Sequence, residues 1–429
     1  LKMHGFEKII FFGDSGGNQS GMRNVAEKLN AEWDGTVVAH VREYYDYGTV
    51  SQYMAFRGFE GTESDGLHDD PVITMNMFAD DPFSVRFEER VATGNAMING
   101  VDVSDRVKNL EIAREIVAFR ARETAAHIRR HVAAGGTMPE PPRESRVRGG
   151  GGNFQRPAPD PRNMGGGQCE ANAYNCADTP NPLPKVETLW IEEMTWMDVR
   201  DALAEGKTTA IIATGGVEPN GPWLATGKHN YVLRANCDAI ARELGNAVCA
   251  PIVKLVPEGS IDPPSGHMTS PGTLSATQET YEALLTDIAH SLKVHGFRNI
   301  VFIGDSGGNQ GGQRAVAERL NDMWDGTVVA HVQGYYDYGT VGEYMAFRGL
   351  EEGEGDGLHD DPIITLNMFV ADPYSIRYDE RVEAGLATIN GVSLANRSQA
   401  LEWGREIVDF RARETARHIR DAIAYRGTI

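Results

Sequence analysis

Short runs of apolar, β-branched residues alternate along this chain with stretches whose apolar positions recur every three to four residues. Thr208 to Thr214, Ala247 to Val253, Asn299 to Ile303 and Thr327 to Val332 are runs of the kind expected for strands buried on both faces. Tyr231 to Leu244, Gln278 to Val294, Gly312 to Met323 and Leu401 to Ala424 carry helical patterning between and after them. This alternation predicts an α/β fold of three layers, with a mainly parallel sheet, helices on both faces and ligands bound outside the carboxyl ends of the strands. Lys8 to Phe12 and Thr36 to Val41 repeat the strand pattern near the start of the chain.

That early pair belongs to an internal repeat. His4-Gly5-Phe6 recurs as His295-Gly296-Phe297, Gly13 to Asn18 as Gly304 to Asn309, and His68 to Pro71 as His359 to Pro362, at a constant offset of 291. The correspondence runs without gaps from about residue 1 to about residue 132. A period this long marks the duplication of a large part of a domain, not a solenoid. Residues 134–185 break the pattern with Gly149 to Gly152, Gly165 to Gly167 and prolines such as Pro139, Pro141 and Pro157, a linker composition. Trp190 to about Leu292 has no upstream counterpart. The predicted organisation is a partial domain at 1–133, a Gly/Pro-rich linker at 134–185 and a complete domain at 186–429. The partial copy would leave strand edges unpaired unless something covers them.

Composition narrows the function classes. With 429 residues the chain is long enough for two cores, and no apolar run approaches the ~20 residues of a membrane-crossing helix. A formal charge of -20 argues against nucleic acid, which needs a clustered basic surface. Arg143, Arg146 and Arg148 form the one basic cluster, inside the linker. Of the four cysteines, Cys237 and Cys249 read as buried free thiols, whereas Cys169 and Cys176 flank a short polar loop that a disulfide could close. The latter pair favours a periplasmic or secreted location over a cytoplasmic one.

Candidate chemistry collects in the turns after the strands. Thr208 to Thr214 runs into Gly215 to Pro222 and then Gly227-Lys228-His229-Asn230, and Asn299 to Ile303 runs into Gly304-Asp305-Ser306-Gly307-Gly308-Asn309. Gly-rich strand-to-helix turns leave backbone N–H groups free for an anion or oxyanion. In order and spacing these turns resemble the creatininase family of amidohydrolases over about 240 residues. Glu218-Pro219-Asn220-Gly221-Pro222 resembles that family's Glu-x-His-Gly-Pro turn, and His267 to Thr273 its His-x-x-Phe-Pro-Gly-Thr segment. Gly304 to Asn309 resembles its Asn-Gly-His-Gly-Gly-Asn turn, and His359-Asp360-Asp361-Pro362 its later His-Ala-Gly-Glu stretch. The departures fall at the family's metal ligands, where this chain has Asn220, His229, Ser306 and Pro362; Glu218 and His359 persist.

The resemblance implies a metal-dependent hydrolase of a non-peptide C–N bond in a cyclic or linear amide, assembled as a homo-oligomer and acting on a small molecule. Glu218, His229, Asp305, His359 and Asp361 form a His/carboxylate set suited to a divalent metal, zinc, manganese or iron. Glu218 would hold metal or orient water, and His359 would shuttle the proton to the leaving nitrogen. Trp223, Asn220, His267, Tyr336 and Arg377 are the candidate substrate-binding residues, aromatics to wall a pocket and Arg377 for a carboxylate. A second chemistry fits the same turns. Phe302 to Ser306 resembles the nucleophile turn of GDSL esterases and Asp356-x-x-His359 their acid–base spacing, making Ser306 a candidate nucleophile with His359 as its base. A third possibility is an inactive binding or assembly protein on the same scaffold.

Overall fold

The computed structural model describes residues 1–62, 64–138, 169 and 171–427; Arg143, Arg146, Arg148 and most of the predicted linker lie outside the described residues. The chain divides into two compact units, Leu1–Lys185 and Val186–Ile429. In the first, β1 (Lys8–Phe11) and β2 (Val37–His40) form a two-stranded parallel sheet, and β3 (Met97–Ile98) and β4 (Val101–Asp102) form a small hairpin. The long helix Arg106–Ala133 completes this unit, capped by Asp105 accepting from the amides of Val107 and Lys108. No further described strand lies on β1, and Phe6 and Phe12 are exposed.

In the second unit β5 (Thr209–Thr214), β6 (Ala247–Cys249), β7 (Asn299–Gly304) and β8 (Val328–His331) form one parallel sheet in the order β6-β5-β7-β8. The run predicted from Ala247 to Val253 stops early as a continuous strand. Pro251 has no N–H to continue the ladder, and Val253 returns only as a single bridge to Thr214. The sheet is buried on both faces with a period of two. Ile211, Ala213, Val301 and Ile303 pack against helices Lys228–Leu244 and Arg397–Ala424, through Leu233, Ile240 and Ile419. Ala210, Ile212, Ile300 and Phe302 pack against helices Gln278–Val294 and Gln310–Met323, through Tyr281, Leu285 and Leu320. The result is the three-layer α/β/α architecture expected from the alternation.

Two features concern the cysteines. Cys169 and Cys176 form a disulfide. Cys237 and Cys249 were expected as free thiols but are also joined, tying helix Lys228–Leu244 to β6; two apolar runs packed face to face bring together sulfurs that the sequence pattern treats as independent.

One core histidine makes stability pH-dependent. His331, at the end of β8, is buried, and its Nε2 meets Gln310 Oε1 at 2.9 Å. Burial, with Arg314 adding to it, pushes its pKa from 6.5 down to about 4. Between those values the unfolded chain binds a proton that the folded unit does not, so stability is lost as pH falls through 6.5 and levels off below about 4. His331→Gln is expected to remove a loss of about 3 kcal/mol over that window. Urea denaturation of both proteins at pH 7.5 and pH 4 checks this, and an identical pH dependence in the two would refute it.

Candidate active site

Two turns at the carboxyl ends of β5 and β7 build the site, and amide side chains staple them together. Asn309 Nδ2 donates to the carbonyls of Thr214 (2.8 Å) and Gly215 (2.9 Å), and Gln310 Nε2 donates to those of Gly304 and Ser306. Asn230 brackets Gly216, accepting from its N–H and donating to its carbonyl. These clamps fix the backbone from which Glu218 projects inward, with its side chain only 3% exposed.

Glu218 is the hub. Its Oε1 receives Lys228 Nζ at 2.9 Å and His229 Nε2 at 3.0 Å, with His359 Nδ1 at 3.5 Å; its Oε2 faces His267 Nε2 at 3.3 Å. Burial alone would raise this carboxyl, but His229 and Lys228 hold it well below the usual carboxylate range. Ligand atoms of Glu218, His267 and His359 lie within 4.8 Å of one another, a group able to hold a metal ion. His359 reaches this position from a left-handed backbone, φ 37°, an unfavourable conformation for a residue with a Cβ.

Behind the hub runs a fully bonded chain. His229 Nδ1 meets Asp305 Oδ2 at 2.9 Å, while Asp305 Oδ1 accepts from Arg411 Nη2 (2.9 Å) and Tyr338 OH (2.8 Å). Burial opposes both charges, yet Asp305 stays below its ordinary pKa through Arg411 and His229, and His229 stays above its own through Asp305 and Glu218. Both ring nitrogens of His229 are therefore occupied, as are both oxygens of Asp305.

Glu258 supplies a second buried carboxyl. It is 4% exposed, its Oε2 accepts from Ser306 Oγ at 3.4 Å, and its Oε1 has no hydrogen-bond partner among the described residues. Burial and the neighbouring Glu218 push it up to about 8. A Cβ on Gly216 would lie 1.9 Å from Glu258 Oε1, so this close approach requires glycine there.

The predicted residues divide accordingly. Glu218, His267 and His359 come together, and Tyr336 joins them at the edge of the site: its hydroxyl lies against Gly307, and its pKa is raised by burial, then by Asp305 and Glu218. His229 and Asp305 stand outside this group, bonded to each other and to Glu218, Arg411 and Tyr338. Asp361 also stands outside the group; it caps helix Pro362–Ala371, accepting from the amides of Ile363 and Ile364, where a helix start leaves orphan N–H groups. Arg377 lies exposed beside Glu380 at 3.7 Å. Trp223 stacks on Arg381, which pairs with buried Asp360, and Asn220 donates to the carbonyls of Glu218 and Ala225, shaping the turn. Ser306 has no imidazole partner among the described residues, which removes the hydrogen bond an esterase nucleophile needs.

Sequence reading missed Lys228 and Glu258. Lys228 stands beside His229 in a turn already singled out. Glu258 follows the Ala247 to Val253 run in Pro257-Glu258-Gly259, the same strand-then-turn signal that marks the other site residues. In the first unit Asp14 keeps the corresponding partners, Arg120 at 2.8 Å and Tyr47 at 2.7 Å, while Asp70 is a helix cap.

A family model described as creatinine amidohydrolase, creatininase, matches residues 192–414, more than half of the chain. The chain belongs to the creatininase family. Solved structures similar to it include a creatininase variant complexed with creatine (18% identity, TM-score 0.41, covering 55% of this chain and 98% of that one). Others are a creatinine amidohydrolase (19%, 0.40, 56% and 98%) and creatininase Mn (19%, 0.38, 56% and 98%). No curated protein sequence matches. The creatininase-family match covers the hub, the clamped turns and the Glu258 loop alike, and among the described residues the second unit alone holds a His/carboxylate group of metal-binding geometry.

Proposed function

We propose that the second unit is a metal-assisted amidohydrolase that cleaves a non-peptide C–N bond of a small cyclic or linear amide. The convergence of Glu218, His267 and His359 carries this reading, since one carboxylate and two imidazoles make a three-ligand set with a position left open for substrate or water. The donors fit a zinc or manganese ion. Such an ion supplies Lewis-acid polarisation of the amide carbonyl and acidifies water.

The chain's own groups account for the remaining steps. His359 is held below its ordinary pKa by burial and by Lys228, so it is neutral and its ring nitrogens are available as ligands. Glu258, carrying a proton at neutral pH beside the hub, is the group we assign to protonate the leaving nitrogen. Tyr336 OH is suited to orient the substrate at the rim.

Assaying a panel of lactams, linear amides and esters with and without a chelator tests the proposal. Amide turnover that chelator abolishes and zinc or manganese restores is the expected result; ester turnover indifferent to chelator would refute it. Ser306→Ala bears on the same question. Among the described residues its hydroxyl bonds to Glu258 alone, so kcat/KM is expected to fall by no more than about tenfold, the ~1.4 kcal/mol of one hydrogen bond. Complete loss of turnover with full metal content would restore the serine nucleophile.

A further inference from the structure

Lys228 is an unusual neighbour for a metal ligand. Its side chain is 3% exposed, and it enters the site from the first turn of helix Lys228–Leu244, with Nζ 2.9 Å from Glu218 Oε1 and 3.5 Å from the His359 carbonyl. A buried ammonium persists only where acceptors surround it, and both of these belong to residues of the ligand trio. His229 follows on the same turn and reaches the same oxygen at 3.0 Å. Glu218 is thus divided. Oε1 is held by the N–H donors of two consecutive residues, with His359 Nδ1 at 3.5 Å, and Oε2 faces His267.

We propose that the centre holds a single divalent ion on Glu218, His267 and His359, with the Lys228 ammonium as a built-in cation that keeps a second ion from bridging through Glu218 Oε1. This rests on the reading that the trio binds metal. Three observations support the count. The one group of metal-binding geometry among the described residues has three ligands, enough for one ion. Of the other acids and imidazole in the site, His229 is bound at both nitrogens, Asp305 by Arg411, Tyr338 and His229, and Glu258, pushed up to about 8, carries a proton at neutral pH. A second ion bridging through Glu218 Oε1 would have to settle against the Lys228 ammonium, 2.9 Å from that oxygen, and like charges repel.

The consequence is that Lys228 also weakens the ion that does bind, because it places positive charge beside it. Zinc titration of the full-length protein, stripped with chelator, would be followed by native mass spectrometry for ions per chain and by competition with a chromophoric chelator for affinity. Ions that remain in Glu218→Gln are subtracted as lying elsewhere. The expected result is one Glu218-dependent zinc per chain in the wild type, binding at least tenfold tighter in Lys228→Met and unchanged within threefold in Lys228→Arg, which keeps the charge. Two Glu218-dependent ions in the wild type would overturn the proposal even if Lys228→Met failed to fold. So would a folded Lys228→Met that binds zinc no tighter. In either case chelator-sensitive amidase activity would leave the functional reading standing, whereas no Glu218-dependent ion in any of the proteins would remove both.

Discussion

Glu218→Gln is expected to lose its metal and to lower kcat/KM by about 10³-fold or more, roughly 4 kcal/mol of transition-state stabilisation. The substitution keeps the shape of the side chain, so the turn clamped by Asn309 and Asn230 should survive. What changes is the charge on the hub. Four donor groups, from Lys228, His229, His267 and His359, face this one carboxylate. A carboxamide cannot balance them and is a poor ligand for a divalent ion. Metal analysis, steady-state kinetics on the best amide and circular dichroism would be read together. A folded variant that keeps its metal and stays within tenfold of wild type would refute the assignment of Glu218.

Arg411→Met is expected to be the most destabilising single substitution considered, and the first unit provides its control. Arg411 is 2% exposed in its side chain and holds Asp305, Tyr338, Asn367 and the Tyr335 carbonyl. Methionine would leave Asp305, which is fully buried, without its strongest partner; breaking a buried ion pair from one side costs about 3–5 kcal/mol. For a unit of this size that corresponds to a fall in Tm on the order of 10 °C. Arg120 makes the same bond to Asp14 at 2.8 Å, but the Asp14 side chain is 52% exposed. Water can solvate that carboxylate once the guanidinium is gone, so Arg120→Met is expected to cost only about 1 kcal/mol. Thermal denaturation of the two variants beside the wild type gives the comparison, and equal losses would show that burial does not set the strength of this pair.

Much of the architecture was legible in order along the chain. The β-branched runs at Thr208 to Thr214 and Asn299 to Ile303 became neighbouring strands, and their Gly-rich continuations became the site, because a strand's face alternation and a turn's need for glycine are local properties. Local chemistry also explains where the reading failed. Asp361 precedes a proline that starts a helix, a capping signal as strong as any ligand signal, and the cap is what forms. The expectation of free thiols at Cys237 and Cys249 failed for another reason: their pairing depends on two segments meeting in space.

What the sequence by itself determined is the inventory: which turns carry carboxylates and imidazoles, the internal repeat, and the scaffold those turns belong to. The tertiary structure decided which of those groups are available for chemistry. His229 and Asp305 have the right atoms for a metal, but in the fold they bond to each other and to Arg411, Tyr338 and Glu218. His267, with a less obvious signal, stands open beside Glu218. A side chain's function depends on which partners reach its lone pairs first, and in this protein Arg411 lies 106 positions from the carboxylate it holds. Glu258 makes the same point, since burial and one neighbouring carboxylate push an ordinary acid up to about 8, and neither influence is written in the residues next to it.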